Sequence, residues 1–154
     1  QVYAMVGDGS YLMLNSDVFA SVLSGTKFIL VVCDNEGYAV IERLQVNQGG
    51  ASYNNMLADA KGPRTGERVD FAAHAAALGA LSVQVTSLAE FRAALDMARS
   101  AARTTVIVSK VRADDWTESG AFWQVGVPEV SQRAEVTVAR AALDAGLAAQ
   151  RRAV

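Results

Sequence analysis

Two short polar stretches carry the residue types from which a metal–diphosphate site is built. The first is Gly7-Asp8-Gly9-Ser10; the second is Asp34-Asn35-Glu36-Gly37-Tyr38, and twenty-four residues (Ser10 to Cys33) separate Gly7-Asp8-Gly9 from Asp34. Asp8 offers a hard carboxylate oxygen and Asn35 an amide oxygen, both suited to Mg²⁺ or Ca²⁺. Gly7, Gly9 and Gly37 let backbone approach a ligand closely and take up φ > 0. Ser10, with the N–H groups that open a following helix, is placed to cradle a phosphate. A cation held by two side chains and a carbonyl keeps positions free for diphosphate oxygens, as Mg²⁺ sites commonly do. Either stretch alone reads as an ordinary turn. Both together, each following a strand, point to chemistry.

The surrounding pattern supplies elements to hold those tips. Gln1 to Val6 reads as a short apolar strand, and Lys27 to Cys33 as a β-branched-rich one. Tyr11 to Ser24 reads as one crossover helix with an apolar face of Leu12, Leu14, Val18, Phe19, Val22 and Leu23. Asn15 or Ser16 is expected to cap its main portion, and Gly25 to stop it. Parallel neighbours joined by such a helix bring both tips to the carboxyl edge of one sheet, where open α/β folds bind ligands. Tyr38 to Gln45 is expected to form a short helix with Val40, Ile41 and Leu44 inward. Residues 48–68, rich in Gly, Asn and Pro, read as a long loop, either an active-site lid or a connector, with Tyr53 and Asn54 its residues of interest.

Downstream, Asp70 is placed to cap a helix to Leu78 with Gly79 as its stop, and Leu81 to Thr86 reads as a strand. Ser87-Leu88-Ala89-Glu90 fits a capping box that opens a helix to about Ala101. Thr104 to Val111 is the last strand, and Ser131 is placed to cap a final helix to about Gln150. Arg151 and Arg152 would complement that helix's dipole. The alternation predicts an α/β fold, three layers around a mainly parallel sheet. Its domain is expected over 1–111, followed by a C-terminal extension over 112–154.

Composition narrows the function classes. The 154 residues are half apolar with a net charge of −2 and no basic run, which argues against nucleic acid or an anionic membrane as main partner. No apolar stretch approaches the roughly 18 residues needed to cross a bilayer. A single cysteine and a single histidine leave no disulfide and no zinc cluster. A cytoplasmic location is the default expectation. The chain opens on a strand without Met or leader, as a piece of a longer protein would.

The paired tips resemble the fingerprint of the thiamine-diphosphate-dependent enzymes, Gly-Asp-Gly followed at about this distance by an Asn pair. The resemblance implies that Asp8, the Asn35 side chain and the Gly37 carbonyl bind Mg²⁺. Gly7, Gly9, Ser10 and Tyr38 would join them around thiamine diphosphate. Asp34 stands where the family's first Asn usually is; the ligand-bearing second position is kept. The family's fold normally has a strand and a helix ahead of Gln1, and its activating glutamate lies on a separate pyrimidine-binding domain, usually of a neighbouring subunit. No catalytic residue is therefore expected in this chain. It would be inactive alone and part of a homo-oligomer. The Trp123-to-Ser131 tail further resembles the trihydroxycyclohexanedione hydrolases, which open the C–C bond of a cyclic diketone to give a 5-deoxy-glucuronate in myo-inositol breakdown. The alternatives are an acetolactate-synthase-like carboligase or decarboxylase and, from another class, a non-catalytic α/β interaction module.

Other reactive side chains read as structural or solvent-facing. His74 lies among alanines away from the tips, Cys33 ends a buried strand, and Asp114-Asp115 falls in a polar stretch. Trp116, Phe122 and Trp123 suit either core packing or a partner surface.

Overall fold

The computed structural model describes residues 1–60, 68–116 and 125–150. In chain order its elements are β1 (Tyr3–Gly7), α1 (Asp8–Leu14), α2 (Ser16–Ser24), β2 (Ile29–Asp34), α3 (Ala39–Asn47), a 3₁₀ turn (Leu57–Asp59), α4 (Phe71–Ala77), β3 (Leu81–Val85), α5 (Leu88–Ser100), β4 (Thr105–Lys110) and α6 (Ala134–Ala149). They divide into two compact units: Gln1–Tyr38 with Lys61–Ala113, and Ala39–Ala60 with Asp114–Val154.

The first unit is a parallel sheet in the order β1-β2-β4-β3. The two inner strands, β2 and β4, are near-continuous apolar runs, because both of their faces are covered. Alternation along them splits the core in two. Leu30, Val32, Val106 and Val108 pack with Tyr11, Val18, Phe71 and Ala75 from α1, α2 and α4. Ile29 and Ile107 pack with Val85 and with Ala94 and Ala98 of α5. The α/β expectation, helices on both faces of a parallel sheet, is what the structure shows.

The caps follow sequence chemistry, with instructive departures. Asp70 accepts a hydrogen bond from the Ala73 N–H at 2.8 Å, and Gly79 ends that turn at φ 90°. Ser87 accepts from the Glu90 N–H, but Glu90 reaches back to the N–H and hydroxyl of Thr86, one residue earlier than a standard capping box. The expected single helix from Tyr11 instead starts at Asp8 and breaks at Asn15. It starts early because extended Gly7 feeds directly into helical geometry (φ −74°, ψ 162°). Neither Asn15 nor Ser16 caps α2: Asn15 is itself helical in φ and ψ, and its amide donates back to the Leu12 carbonyl. Gly25 is the left-handed stop, as expected.

In the second unit, only Ala39 of α3 is buried, and Val40 and Ile41 are exposed rather than inward. Asn55 ties the following loop to α3 through hydrogen bonds to Glu42 and Gln45, each 2.9 Å. The guanidinium of Arg43 lies 4.4 Å from the Trp116 ring centre. Helix α6 packs its start against Gly49, where a side chain would collide with the Glu135–Val136 backbone. Ser131 does not cap this helix: it accepts from Arg133 N–H in the preceding turn, and Arg133 holds the cap position without a side-chain bond. Phe122, Trp123, Arg151 and Arg152 lie outside the described residues. Among the described residues, no helix is long and apolar enough to cross a membrane.

Ile107 is fully buried on the α5 face. Ile107→Ala is expected to destabilise the chain by about 2–5 kcal/mol. A lowered denaturant midpoint with an unchanged slope would register that loss.

Candidate functional site

Strands β1 and β2 pair in a register that sets Gly7 opposite Cys33. The next pairing sets Asp34 opposite Lys110 at the end of β4. Three carboxyl ends therefore lie side by side, and the two polar tips leave from adjacent strands. Asp8, the first residue of α1, is 4% exposed. Its Oδ2 accepts the Gly37 N–H at 2.8 Å, which joins the tips directly. One end of the Asn35 amide lies 2.8 Å from the Gly37 carbonyl oxygen and 3.0 Å from Asp8 Oδ1. With its oxygen there, the amide meets only other oxygens; turned over, its nitrogen donates to both. Carboxylate, amide and carbonyl thus converge on one point. Among the described residues there is no cluster of three His, Cys, Asp or Glu side chains, so any hard-cation site must draw on amide and carbonyl oxygens.

The second tip is tightly shaped. The Asp34 carboxylate, 8% exposed, accepts the Glu36 N–H at 3.2 Å. Glu36 takes φ 66° and Gly37 φ 149°, which turns the chain back toward Asp8. The Tyr38 ring lies over Gly9, so closely that an added Cβ would sit 2.5 Å from its Cδ1 and Cε1. Ser10 is exposed on the first turn of α1. Burial raises the Asp8 pKa above its ordinary value and the nearby Asp34 charge adds to this, outweighing the lowering by the Gly37 N–H. Burial also pushes up the Cys33 thiol, helped by the Asp8 charge, which keeps it protonated and unreactive.

All seven residues singled out in the two stretches are gathered here, and His74 bears on them indirectly. Its Nδ1 lies 2.9 Å from the hydroxyl of buried Tyr11, one turn beyond Asp8 on α1. Tyr11 also meets Phe71 edge-on, ring centres 5.5 Å apart. His74 is therefore a structural partner that helps fix α1, in line with its structural reading, though its partner Tyr11 was not legible in the sequence. Two further residues escaped the sequence reading: Arg68 and Lys110, both ion-paired with Glu36. Neither is near that tip in sequence.

A parallel α/β sheet with a carboxylate–amide–carbonyl cluster at its carboxyl edge has the form of a ligand-binding edge in an open α/β fold. Residues 1–109 match the family model for the C-terminal TPP-binding domain of thiamine pyrophosphate enzymes, and the chain belongs to that family. It is 39% identical over 137 residues to a 3D-(3,5/4)-trihydroxycyclohexane-1,2-dione hydrolase of Halalkalibacterium halodurans, covering 86% of this chain and 21% of that protein. A protein of the same name from Bacillus thuringiensis is 36% identical over 145 residues, covering 90% of this chain and 22% of its own length. The chain thus spans about a fifth of these relatives. Among solved structures, benzoylformate decarboxylase from Polynucleobacter necessarius superposes with a TM-score of 0.63 at 27% identity, covering 73% of this chain and 20% of that one. A Rhodococcus jostii thiamine diphosphate-dependent 4-hydroxybenzoylformate decarboxylase gives 0.62 at 18% identity over the same shares, a likeness of fold.

Because the Tyr38 ring occupies the space beside Gly9, Gly9→Ala must displace it. Thiamine diphosphate affinity of the full-length protein is expected to fall roughly tenfold, the scale of a modest overpacking penalty. Equilibrium dialysis checks this.

Proposed function

We propose that this chain is the cation- and diphosphate-anchoring part of a thiamine-diphosphate-dependent C–C bond hydrolase. Its substrate is a trihydroxylated cyclic 1,2-dione, as the names of its relatives suggest. Asp8, Asn35 and the Gly37 carbonyl hold Mg²⁺. The observation that carries this reading is the Asn35 amide, placed 2.8 Å and 3.0 Å from the other two ligand oxygens. Neighbouring oxygens around an octahedral ion with bonds of about 2.1 Å lie roughly 3 Å apart. The cluster matches that spacing. Turned over, the Asn35 amide nitrogen donates to both oxygens; its oxygen would be the atom that holds a cation there.

The chain's other groups act on the diphosphate end. Backbone N–H groups of Gly9 and Ser10 and the Ser10 hydroxyl hold phosphate oxygens, as the family resemblance implies. Tyr38 covers the glycine side of the pocket. When bound, thiamine diphosphate supplies the nucleophilic carbon that makes C–C cleavage accessible. The activating carboxylate comes from a pyrimidine-binding domain, which in the resembling family is usually contributed by a neighbouring subunit, so that the working enzyme is a homo-oligomer. No residue here is assigned a catalytic role.

Calorimetric titration of thiamine diphosphate into the full-length protein, with and without Mg²⁺, tests the site. Asp8→Ala and Asn35→Ala are each expected to weaken Mg²⁺-dependent binding by on the order of 100-fold, at the upper end of losses from altered metal shells. Tight binding untouched by either change would sink the residue assignment. Turnover of the cyclic dione rather than pyruvate separates the hydrolase from a carboligase.

The pH dependence has a definite sign. The folded Asp8 pKa lies above its ordinary value of 3.8. Free of cation, the folded chain therefore binds this proton more tightly than the unfolded chain does. Asp8 ionisation costs stability at neutral pH, and the cost disappears as pH falls through the folded pKa. Mg²⁺ competes with the same proton. Its affinity is expected to start falling on acidification at a pH above 3.8; repeating the titration at decreasing pH measures this, and Asp8→Asn, which has no carboxyl to titrate, should flatten the trend in the weakened binding that remains.

A further inference from the structure

Glu36 stands between two of the residues assigned to the cation, with its backbone in the left-handed region at φ 66°. A residue with a Cβ adopts that conformation at a cost. Among the described non-glycine residues only Asn54 shares it, and asparagine tolerates it better. The N–H bond to Asp34 secures the start of the turn. The Glu36 carboxylate is held from outside the turn, by Arg68 just ahead of α4 and by Lys110 at 3.7 Å on the end of β4. The strand register brings Lys110 there, opposite Asp34. All three side chains are partly exposed, so as isolated surface pairs they would contribute little. Their convergence on the one strained residue of the tip gives them another consequence.

We propose that Glu36 is a positioning residue whose ion pairs with Lys110 and Arg68 hold the left-handed turn in place. The turn in turn keeps the Asn35 amide and the Gly37 N–H on Asp8 and the Gly37 carbonyl beside that amide. The proposal rests on the Mg²⁺ reading above and adds the device that fixes the shape of that site.

Charge makes the idea testable by sign. Lys110 and Arg68 are cations beside a cation site, so Coulomb's law alone has Mg²⁺ affinity rise when either is neutralised. A clamp requires it to fall. Mg²⁺ affinity in the presence of thiamine diphosphate would be measured by calorimetry on the full-length protein and its Lys110→Met, Arg68→Met and Glu36→Gly variants. Lys110→Met and Arg68→Met are each expected to lower it roughly threefold, in keeping with the modest strength of exposed pairs. In the Glu36→Gly background, where glycine takes the turn without strain, Lys110→Met should produce no further loss. Unchanged or higher affinity in Lys110→Met overturns the clamp, as does a threefold loss that persists in Glu36→Gly. Asp8→Ala, run alongside, separates the layers. If it abolishes Mg²⁺ binding while Lys110→Met does not reduce it, the clamp alone fails. If Asp8→Ala binds as the parent does, the metal reading beneath it fails.

Discussion

Everything at the candidate site depends on the parallel pairing of β1 with β2 in the register that sets Gly7 against Cys33. Side chains alternate along a strand, so a slip of one residue would turn each tip to the other face. In the observed register Asp8 begins its helix beside the turn after Asp34, and the hydrogen bond from the Gly37 N–H to its carboxylate spans the gap. The register is itself enforced by burial. Strand β2 is covered on both faces, with Leu30 and Val32 in one core and Ile29 in the other, so a slip would exchange two packed sets at once. The hydrophobic pattern that makes the sheet thereby makes the cluster.

That cluster is built against the stability of the free chain. Asp8 carries a charge into a buried position and has Asp34 as a like-charged neighbour, which together raise its pKa. Glu36 is held in a conformation costly for its side chain. An amide facing two oxygens is satisfied in only one of its two orientations. The buried Asp8 charge and the left-handed Glu36 backbone are each unfavourable alone. Natural sequences tend to break local rules where a site requires it.

Much of this was legible in sequence because it rests on residue type and period. The strands announced themselves by β-branched runs, the tips by Gly, Asp and Asn after those runs, and the caps at Asp70 and Ser87 by short-range chemistry. What escaped was tertiary. Val40 and Ile41 carry an apolar pattern, yet of α3 only Ala39 is buried. Helix α1 begins at Asp8 because Gly7 arrives extended, a matter of backbone direction that composition does not record. Arg68 and Lys110 meet Glu36 across separations of 32 and 74 residues (68 − 36 and 110 − 36), and no local rule links them. The Tyr11–His74 contact was hidden in the same way.

The residues proposed to anchor the cofactor explain why the family was easier to read than the reaction. A cation and a diphosphate make the same demands whatever bond is broken at the far end of the cofactor. Oxygens must converge, N–H groups must be open and the backbone must come close, and Asp8, Asn35 and the glycines suit those demands. Benzoylformate decarboxylase from Polynucleobacter necessarius shares this fold, whereas the two sequence relatives described above carry the name of a dione hydrolase. One anchoring scaffold is thus compatible with both chemistries. Selection between them must act through groups near the reacting carbon, which the diphosphate end does not touch. The hydrolase reading consequently draws its weight from similarity over 86–90% of the chain, including residues beyond the cofactor-domain match, rather than from the cluster itself. Substitutions in the cluster should alter how firmly the cofactor is held before they alter which substrate is chosen.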